Sequence, residues 1–246
     1  MRNKFALVTG ASTGIGKAIA IELGKNGVSV VLVARRGDKL KETQKVIEDI
    51  GGVAWVNPCD LENVDEINKL VEEIKKETDF RDLDILVNVA GIWHGEDKVL
   101  AGIDYEDFKQ EDIVKTMNVG ILAPMLLCNT LIPEMQHGSS IINISGTFEN
   151  GAKGWLPYYV SKRAIEDFTV GLAQDEQVIN KKMKVNCISP SDTATEEYKK
   201  YFPEDAKDAN SSKDIAKEVL NLIQSNESGQ FVTIKKGKVF KEGFHK

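Results

Sequence analysis

The chain has 246 residues, of which 41% are hydrophobic and 28% are charged, and its formal net charge is −6. This composition predicts a folded protein with a large core, and the scattering of basic among acidic residues argues against nucleic acid or anionic lipid as a partner. Cys59, Cys128 and Cys187 lie far apart without a C-x-x-C pair, which argues against a disulfide framework and favours a cytoplasmic protein. No metal site is predicted, because the histidines lack ligand spacing.

Short apolar segments rich in β-branched residues alternate with amphipathic segments along the whole chain. Seven apolar segments predict strands, at 4–10, 28–34, 52–57, 83–91, 139–146, 183–190 and 230–234. Several are apolar on both faces, which is typical of parallel strands covered by helices. Because parallel neighbours need crossover connections, the pattern predicts an α/β fold. We expect a single Rossmann-like doubly wound domain over residues 1–246, with an about seven-stranded parallel sheet and helices on both faces.

The segments between the strands predict helices. The first begins near Ile15, and others lie at 40–50 and 64–76. Residues 113–135 predict a long helix or a broken pair, and a second long helix runs over 158–178.

A polar stretch at 195–214 lies between the sixth and seventh strands. It is either a lid on the substrate side or a solvated surface of helix and loop. The sequence contains no run of about 18 consecutive apolar residues, so no membrane span is predicted.

A glycine-rich turn joins the first strand to the first helix. Its glycines allow a tight turn and a close approach of backbone to a diphosphate, and the helix offers free N–H groups to anionic oxygens. A lone glycine cluster is a weak signal, but its place in the first β-α unit favours a dinucleotide. The candidate cofactor-binding residues here are Gly10, Ser12, Thr13, Gly14, Ile15 and Gly16.

The spacing T-G-x-x-x-G-x-G resembles the glycine-rich segment of the classical short-chain dehydrogenase/reductase family. Three further segments match that family in order: its N-N-A-G segment, the Asp after the third strand that contacts adenine, and the P-G-x-x-x-T segment near the nicotinamide. The matching residues, which the resemblance implies as cofactor contacts, are Asn88, Ala90, Gly91, Asp60, Leu61, Pro190 and Thr195. Two positions depart from the pattern, since Val89 replaces an Asn and Ser191 replaces a Gly.

The resemblance covers the chain from Lys4 to about Ile234. It implies an NAD(P)-dependent oxidoreductase that acts on a small-molecule carbonyl or secondary alcohol. It also implies a homo-oligomer, a dimer or tetramer, built through the two long helices.

The end of the second strand bears on the choice of nicotinamide cofactor. NAD sites usually place Asp or Glu there, where it accepts hydrogen bonds from ribose hydroxyls. In this sequence Arg35 and Arg36 follow the strand instead. Arginine binds phosphate through several N–H donors, and Ser12 adds a hydroxyl, so the pattern predicts NADP(H) rather than NAD(H). The alternative is a solvated arginine pair that opens the next helix.

Tyr158 and Lys162 are four residues apart at the start of a predicted helix and therefore share one of its faces. An ammonium group favours a neighbouring phenolate, so we expect Lys162 to bring the pKa of Tyr158 down toward the working range. Tyr159 is rotated by about 100° and meets Arg163 instead. Only Tyr158 therefore suits proton transfer.

The family resemblance assigns roles to four catalytic candidates. It implies that Ser145, 13 positions before Tyr158, binds the substrate oxygen. It also implies that Tyr158 donates a proton to that oxygen, that Lys162 binds the nicotinamide ribose, and that Asn118 holds a water in a proton relay. Each residue taken singly has a structural alternative, as a strand end, a helix-bending polar residue or a chance pair.

Together these features predict an NADP(H)-dependent carbonyl reductase of the 3-oxoacyl reductase-like type. Two alternatives stay open: an NAD-linked alcohol dehydrogenase on the same scaffold, and a dinucleotide-binding sensor without turnover. Phe148 and Trp155 either line the substrate pocket or pack on their own loop. His94 either borders the cleft or lies on a solvated loop.

Overall fold

Parallel strand pairing organises the computed structural model of the chain, which describes residues 1–76, 83–95, 99–100, 102–148 and 154–243. The strands are β1 Phe5–Thr9, β2 Ser29–Ala34, β3 Val53–Pro58, β4 Leu83–Asn88, β5 Met135–Ile144, β6 Lys184–Pro190, β7 Phe231–Lys235 and β8 Lys238–Glu242. Within the described residues they form one sheet in the order β3-β2-β1-β4-β5-β6-β7-β8. β1 to β7 are parallel and correspond to the seven expected strands.

Helices cover both faces of the sheet, which confirms the doubly wound arrangement. They are α1 Gly14–Lys25, α2 Gly37–Asp49, α3 Val64–Lys76, α4 Gln110–Met117, α5 Ala123–Leu131, α6 Leu156–Ala173, α7 Glu176–Asn180, α8 Glu196–Tyr201 and α9 Ser212–Gln224. On one face, a buried cluster includes Ile19 of α1, Leu40 of α2 and Val219 of α9. On the other face, a second cluster includes Leu70 of α3 and Leu127 of α5.

The eighth strand is an addition to the expected sheet. β8 pairs antiparallel with β7 across a two-residue turn at Lys236 and Gly237, whose φ values are 48° and 71°. Positive φ at both central residues lets a short turn match the twist of the two strands. All residues of β8 are exposed, so the strand lacks the buried face on which sequence periodicity depends.

The helical segment expected at 113–135 is one continuous run with a widened turn. α4 passes into a π turn at Asn118–Leu122, which continues into α5 and a 3-10 turn at Ile132–Glu134. The π turn packs against α6. Of the two expected alternatives, the structure has the long helix, with a π turn inside it.

The run Gln110–Glu134 is the one helix in the described part of the chain whose length and composition would allow it to cross a membrane. Half of its most apolar window is buried inside the protein. Burial against the sheet and the neighbouring helices accounts for this apolar character.

The second long helix is shorter than expected. α6 ends at Ala173, and Asp175 then caps α7 by accepting hydrogen bonds from the N–H groups of Gln177 and Val178. A side chain that satisfies free N–H groups starts a new helix at this point. The expected helix over 158–178 is therefore two helices.

The winding of the sheet reverses between β1 and β4, and the loops that follow these strands meet there. A Cβ atom on Gly10 would lie 3.1 Å from the Ala90 nitrogen. The Thr9 hydroxyl accepts a hydrogen bond from the Val89 N–H at 3.0 Å. Doubly wound folds bind ligands at this reversal, beyond the carboxyl ends of the strands.

Gly120 tests the contact between the π turn and α6. A Cβ at this position would lie 2.7 Å from Cβ and Oγ of Ser161, so Gly120→Ala must displace the two elements. We expect the free energy of unfolding, measured by urea denaturation, to fall by about 1–3 kcal/mol.

The matched control is Gly171→Ala on α6. Among the described residues, no atom beyond its own helix turn lies within 4 Å of its Cβ position, so this variant should gain about 0.5–1 kcal/mol of stability from the reduced backbone entropy of the unfolded chain. Equal stabilities for the two variants would contradict the close approach at Gly120.

Candidate active site

A cleft of about 2120 Å³ lies at the carboxyl ends of the strands. All the predicted cofactor-binding residues line it except Asn88. Of the predicted catalytic residues, Ser145, Tyr158 and Lys162 line it, and Asn118 does not. The structure therefore brings most of the expected site together on one side of the sheet.

The glycine-rich turn forms a cradle at one end of the cleft. Thr13 precedes α1 without a side-chain cap, and the first turn of α1 carries no acidic residue. Its N–H groups are therefore available to an anion. A Cβ on Gly16 would lie 2.3 Å from the Gly10 carbonyl oxygen, so this turn accepts only glycine there. The cradle fits a diphosphate.

Two arginines extend from the end of β2 at the edge of the cleft. Arg35 and Arg36 are both exposed. Arg35 Nη1 lies 3.3 Å from Oε1 of Glu62, and Asp60 Oδ1 accepts a hydrogen bond from the Glu62 N–H at 3.0 Å. Glu62 was not expected from the sequence. A phosphate ligand of Arg35 would have to compete with this carboxylate.

Two predicted site residues, Asn88 and Asn118, do not line the cleft. Asn88 is 3% exposed and its Nδ2 donates to Asn143 Oδ1 at 2.9 Å, so its side chain ties β4 to β5, and its cofactor contact stays a prediction. Asn118 begins the π turn, and its Nδ2 donates to the Glu62 carbonyl at 3.4 Å. The water relay through Asn118 stays a prediction.

The substitutions at Val89 and Ser191 fit the local backbone. The Ser191 N–H donates to the Ile234 carbonyl at 2.9 Å, and the φ of Ser191 is not in the left-handed region that would require glycine.

Thr195 caps α8 through a hydrogen bond from the Tyr198 N–H at 3.1 Å. A Cβ on Gly14 would lie 3.1 Å from Thr195 Cγ2, so the start of α8 touches the glycine-rich turn.

Tyr158 and Lys162 share one face of α6, as expected. Lys162 is 2% exposed, and its Nζ donates to the Ile144 carbonyl at 2.8 Å and lies 5.4 Å from the centre of the Tyr158 ring. Burial lowers the pKa of Lys162 to about 8, and the carboxylate of Glu166 acts in the opposite direction.

The pKa of Tyr158 differs from the expectation. Burial raises the pKa of its phenol above the ordinary value, instead of Lys162 lowering it. The ammonium lies over the face of the ring and is bound to a carbonyl oxygen, so it does not stabilise a phenolate directly. The phenol is therefore held in the protonated form, which is the form that donates a proton.

Ser145 lines the cleft, but its hydroxyl hydrogen-bonds to α6. The side chain is 3% exposed, and Oγ donates to Glu166 Oε1 at 2.5 Å and lies 3.0 Å from the Lys162 carbonyl oxygen. Glu166 is fully buried on α6, and its other oxygen accepts a hydrogen bond from Arg163 at 2.6 Å. Ser145 thus joins the end of β5 to α6. Spacing from Tyr158 could not reveal this orientation.

Gly146 lines the cleft next to Ser145 and adds no side chain there. A Cβ there would lie 3.5 Å from Phe148 and 3.9 Å from Cγ of Lys162, which are ordinary contact distances. Thr147 hydrogen-bonds to Ser189 instead.

Aromatic residues line the side of the cleft beyond Tyr158. Phe148 and Trp155 line it, which favours the pocket role over packing on their own loop, and His94 borders it. The sequence interpretation missed three further residues, Trp93, Tyr198 and Phe202. Tyr198 and Phe202 could have been found in the sequence, because they are aromatic residues within the most polar stretch of the chain.

Ser145→Ala separates a structural hydroxyl from a catalytic one. We expect kcat/KM for carbonyl reduction to fall by less than about tenfold, whereas loss of a hydrogen bond to developing charge costs about 10²–10³-fold. The main loss should be in stability, by about 1–3 kcal/mol, because Glu166 loses a buried partner.

A companion pair at the next position checks the same geometry. Gly146→Ser should raise kcat/KM above that of Gly146→Ala, since only the serine adds a donor in the cleft beside Lys162. A hundredfold loss in Ser145→Ala, with no difference between the two Gly146 variants, would contradict the observed orientation of Ser145.

Comparison with known proteins identifies the family. The family model described as short chain dehydrogenase matches residues 4–206. A fatty acyl-CoA reductase of Acinetobacter baylyi is 33% identical over 193 residues, which cover 76% of this chain and 62% of that protein. The chain therefore spans less than two thirds of that relative.

Solved structures agree over nearly the whole chain. The angucycline C-6 ketoreductase LanV with bound NADP is 28% identical, with a TM-score of 0.83 and coverage of 94% of each chain. A short-chain dehydrogenase from Burkholderia cenocepacia in complex with NADP is 27% identical, with a TM-score of 0.85 and coverage of 96% of this chain and 98% of that one. The chain belongs to the short-chain dehydrogenase/reductase family of oxidoreductases.

Proposed function

We propose that the protein is an NADP(H)-dependent carbonyl reductase in which Tyr158 is the proton donor. The observation that carries this proposal is the placement of Tyr158 and Lys162 on one face of α6, in the same cleft as the glycine-rich cradle. The proton-donating group and the candidate cofactor cradle thus share one concave site, as a two-reactant enzyme requires.

The nicotinamide, when bound, supplies the hydride for the carbonyl carbon. Tyr158 donates its proton to the carbonyl oxygen as negative charge develops there. Lys162 would hold the ribose hydroxyls by exchanging its hydrogen bond to the Ile144 carbonyl, and Ser145 and Glu166 hold α6 against the end of β5. Reduction is the proposed direction.

Charge at the end of β2 supports NADP(H). Arg35 and Arg36 line the cleft where an acidic residue would favour NAD(H). Two similar structures, the LanV ketoreductase and the Burkholderia dehydrogenase, contain NADP. An NAD-linked alcohol dehydrogenase is less well supported, and a sensor without turnover is not favoured because Tyr158 and Lys162 are both present.

We further propose that 195–214 acts as a lid within a single domain over 1–246. Thr195 touches the glycine-rich turn, Tyr198 contacts Trp93, and Phe202 contacts Trp155. The segment therefore contacts both ends of the site.

The remaining expectations stay predictions. These are the 3-oxoacyl reductase-like type, the cytoplasmic location and the homo-oligomer. Val160 on α6 is 43% exposed and faces away from the sheet, which is compatible with a partner helix. A solution mass equal to one chain of 27.2 kDa would contradict the oligomer.

Tyr158→Phe tests the proton donor. We expect kcat for NADPH-dependent reduction of a panel of carbonyl compounds to fall by about 10²–10⁴-fold, because the variant lacks the acidic group. Tyr159→Phe is the matched control. Its ring meets Arg163 at 5.1 Å and it lies outside the cleft lining, so it should keep most of the activity. Similar rates for the two variants would refute the assignment.

Arg35→Ala tests the cofactor. Hydrogen bonds to charged groups contribute about 1.5–3 kcal/mol, so the dissociation constant for NADPH should rise by about 10- to 100-fold. The value for NADH should stay within about threefold, because NADH has no 2′-phosphate. Titration calorimetry measures both, and an equal effect on the two cofactors would exclude a 2′-phosphate contact.

A further inference from the structure

An aromatic surface lines the substrate side of the cleft. Four half-buried rings form a closed circuit, in which the centroids of neighbours are 6.4, 6.1, 5.1 and 6.3 Å apart. In circuit order, they are Trp93, Trp155, Phe202 and Tyr198. We call these four residues the aromatic wall. All four line the cleft.

The aromatic wall is not part of the hydrophobic core. Its rings come from the loop after β4, the turn before α6, and α8 with the residue that follows it. None of them belongs to the two buried clusters that hold the helices to the sheet. A contiguous aromatic surface that folding does not bury, and that faces a cleft, is typical of a site for an apolar ligand.

The wall reaches the proposed proton donor. Trp155 lies 6.4 Å from the Tyr158 ring, and Phe148 meets the same ring edge-on at 5.8 Å. Gly146 adds no side chain beside them. A substrate whose carbonyl oxygen reaches Tyr158 therefore extends over these rings.

Charge around the wall disfavours an anionic substrate. Residues 192–208 contain six acidic and three basic side chains. All six acidic residues line the cleft, at Asp192, Glu196, Glu197, Glu204, Asp205 and Asp208. Lysines also line it, at 200, 235, 236 and 238, and Lys236 lies 3.5 Å from Asp208. A substrate carried on a phosphate-bearing thioester would meet the acidic segment.

We propose that the substrate is an uncharged, flat aromatic ketone of two or more fused rings, which lies on the aromatic wall with its carbonyl at Tyr158. Aromatic pairs contribute affinity beyond their buried area, so a flat ring face gains more on this wall than a puckered saturated ring of equal size. A wall built from a circuit of four rings is broader than one ring, which favours a fused system. The inference rests on the proposed carbonyl reductase function.

The test compares 2-naphthol with 2-decalol, which share a bicyclic skeleton and a hydroxyl group but differ in aromaticity. Titration calorimetry of the full chain with NADP⁺ should give a dissociation constant about tenfold lower for 2-naphthol. Trp93→Leu and Trp155→Leu should each reduce this ratio by about threefold or more, since leucine keeps apolar area without a ring face. Phe240→Leu is the control, because Phe240 is an exposed ring on β8 outside the cleft lining.

Three results would overturn the aromatic substrate. They are equal affinity for the two probes, a ratio that survives in both tryptophan variants, and no binding of 2-naphthol. The comparison of 2-naphthol with 2-decalol in the unsubstituted protein tests the aromatic substrate even if a variant fails to fold.

Measurements of turnover distinguish a failure of the aromatic-substrate proposal from a failure of the proposed carbonyl reductase function. The value of kcat/KM for NADPH oxidation should be about tenfold higher with 2-tetralone than with 2-decalone. Equal values would overturn the aromatic substrate and leave the carbonyl reductase in place. Preferential binding of 2-naphthol without reduction of any ketone would leave the aromatic site in place and overturn the proposed function.

Discussion

Burial of one ammonium group constrains the reacting end of the cleft. Removing a lysine from water costs several kcal/mol unless the charge finds partners, and Lys162 finds them in the Ile144 carbonyl and in the nearby carboxylate of Glu166. The hydrogen bond to Ile144 joins α6 to the end of β5, and Ser145 adds a second connection to the same helix. Because the helix is fixed there, Tyr158 one turn earlier has a defined position relative to the sheet.

The shape of the opposite end of the cleft depends on the close approach of backbone segments instead of on charge. Gly10 and Gly16 let the turn after β1 fold tightly and lie against Ala90. The reversal of winding between β1 and β4 leaves a crevice above this contact. Both ends line this one cleft.

The sequence predicted what depends on periodicity and ordered spacing. Strands β1 to β7 are apolar segments with clear ends, so their positions could be predicted. The glycine-rich turn and the pair Tyr158 and Lys162 have characteristic spacings in the sequence, so they could be predicted as well. The orientation of individual side chains was not predictable in the same way. Ser145 has the right spacing from Tyr158, but its hydroxyl donates a hydrogen bond to the buried carboxylate of Glu166 on α6. Neither Glu166 nor Glu62 belongs to a motif, and each acts through a residue distant in sequence.

Three of the four residues of the aromatic wall were missed for a related reason. Trp93, Tyr198 and Phe202 come from a loop after β4 and from α8 and its end, without a common periodicity, and only the fold brings them together with Trp155. The pKa of Tyr158 is a similar case, since it depends on burial and on the position of Nζ over the ring, which spacing along a helix does not determine.

The hairpin at the end of the described chain affects association between molecules. Without β8, strand β7 would expose a row of unpaired N–H and C=O groups next to Phe231 and Ile234, a template for pairing with other chains. The backbone of β8 pairs with these groups, and β8 carries the exposed side chains of Lys238, Lys241 and Glu242. Charged side chains on the new edge oppose further strand addition, so this short exposed element protects the sheet against aggregation.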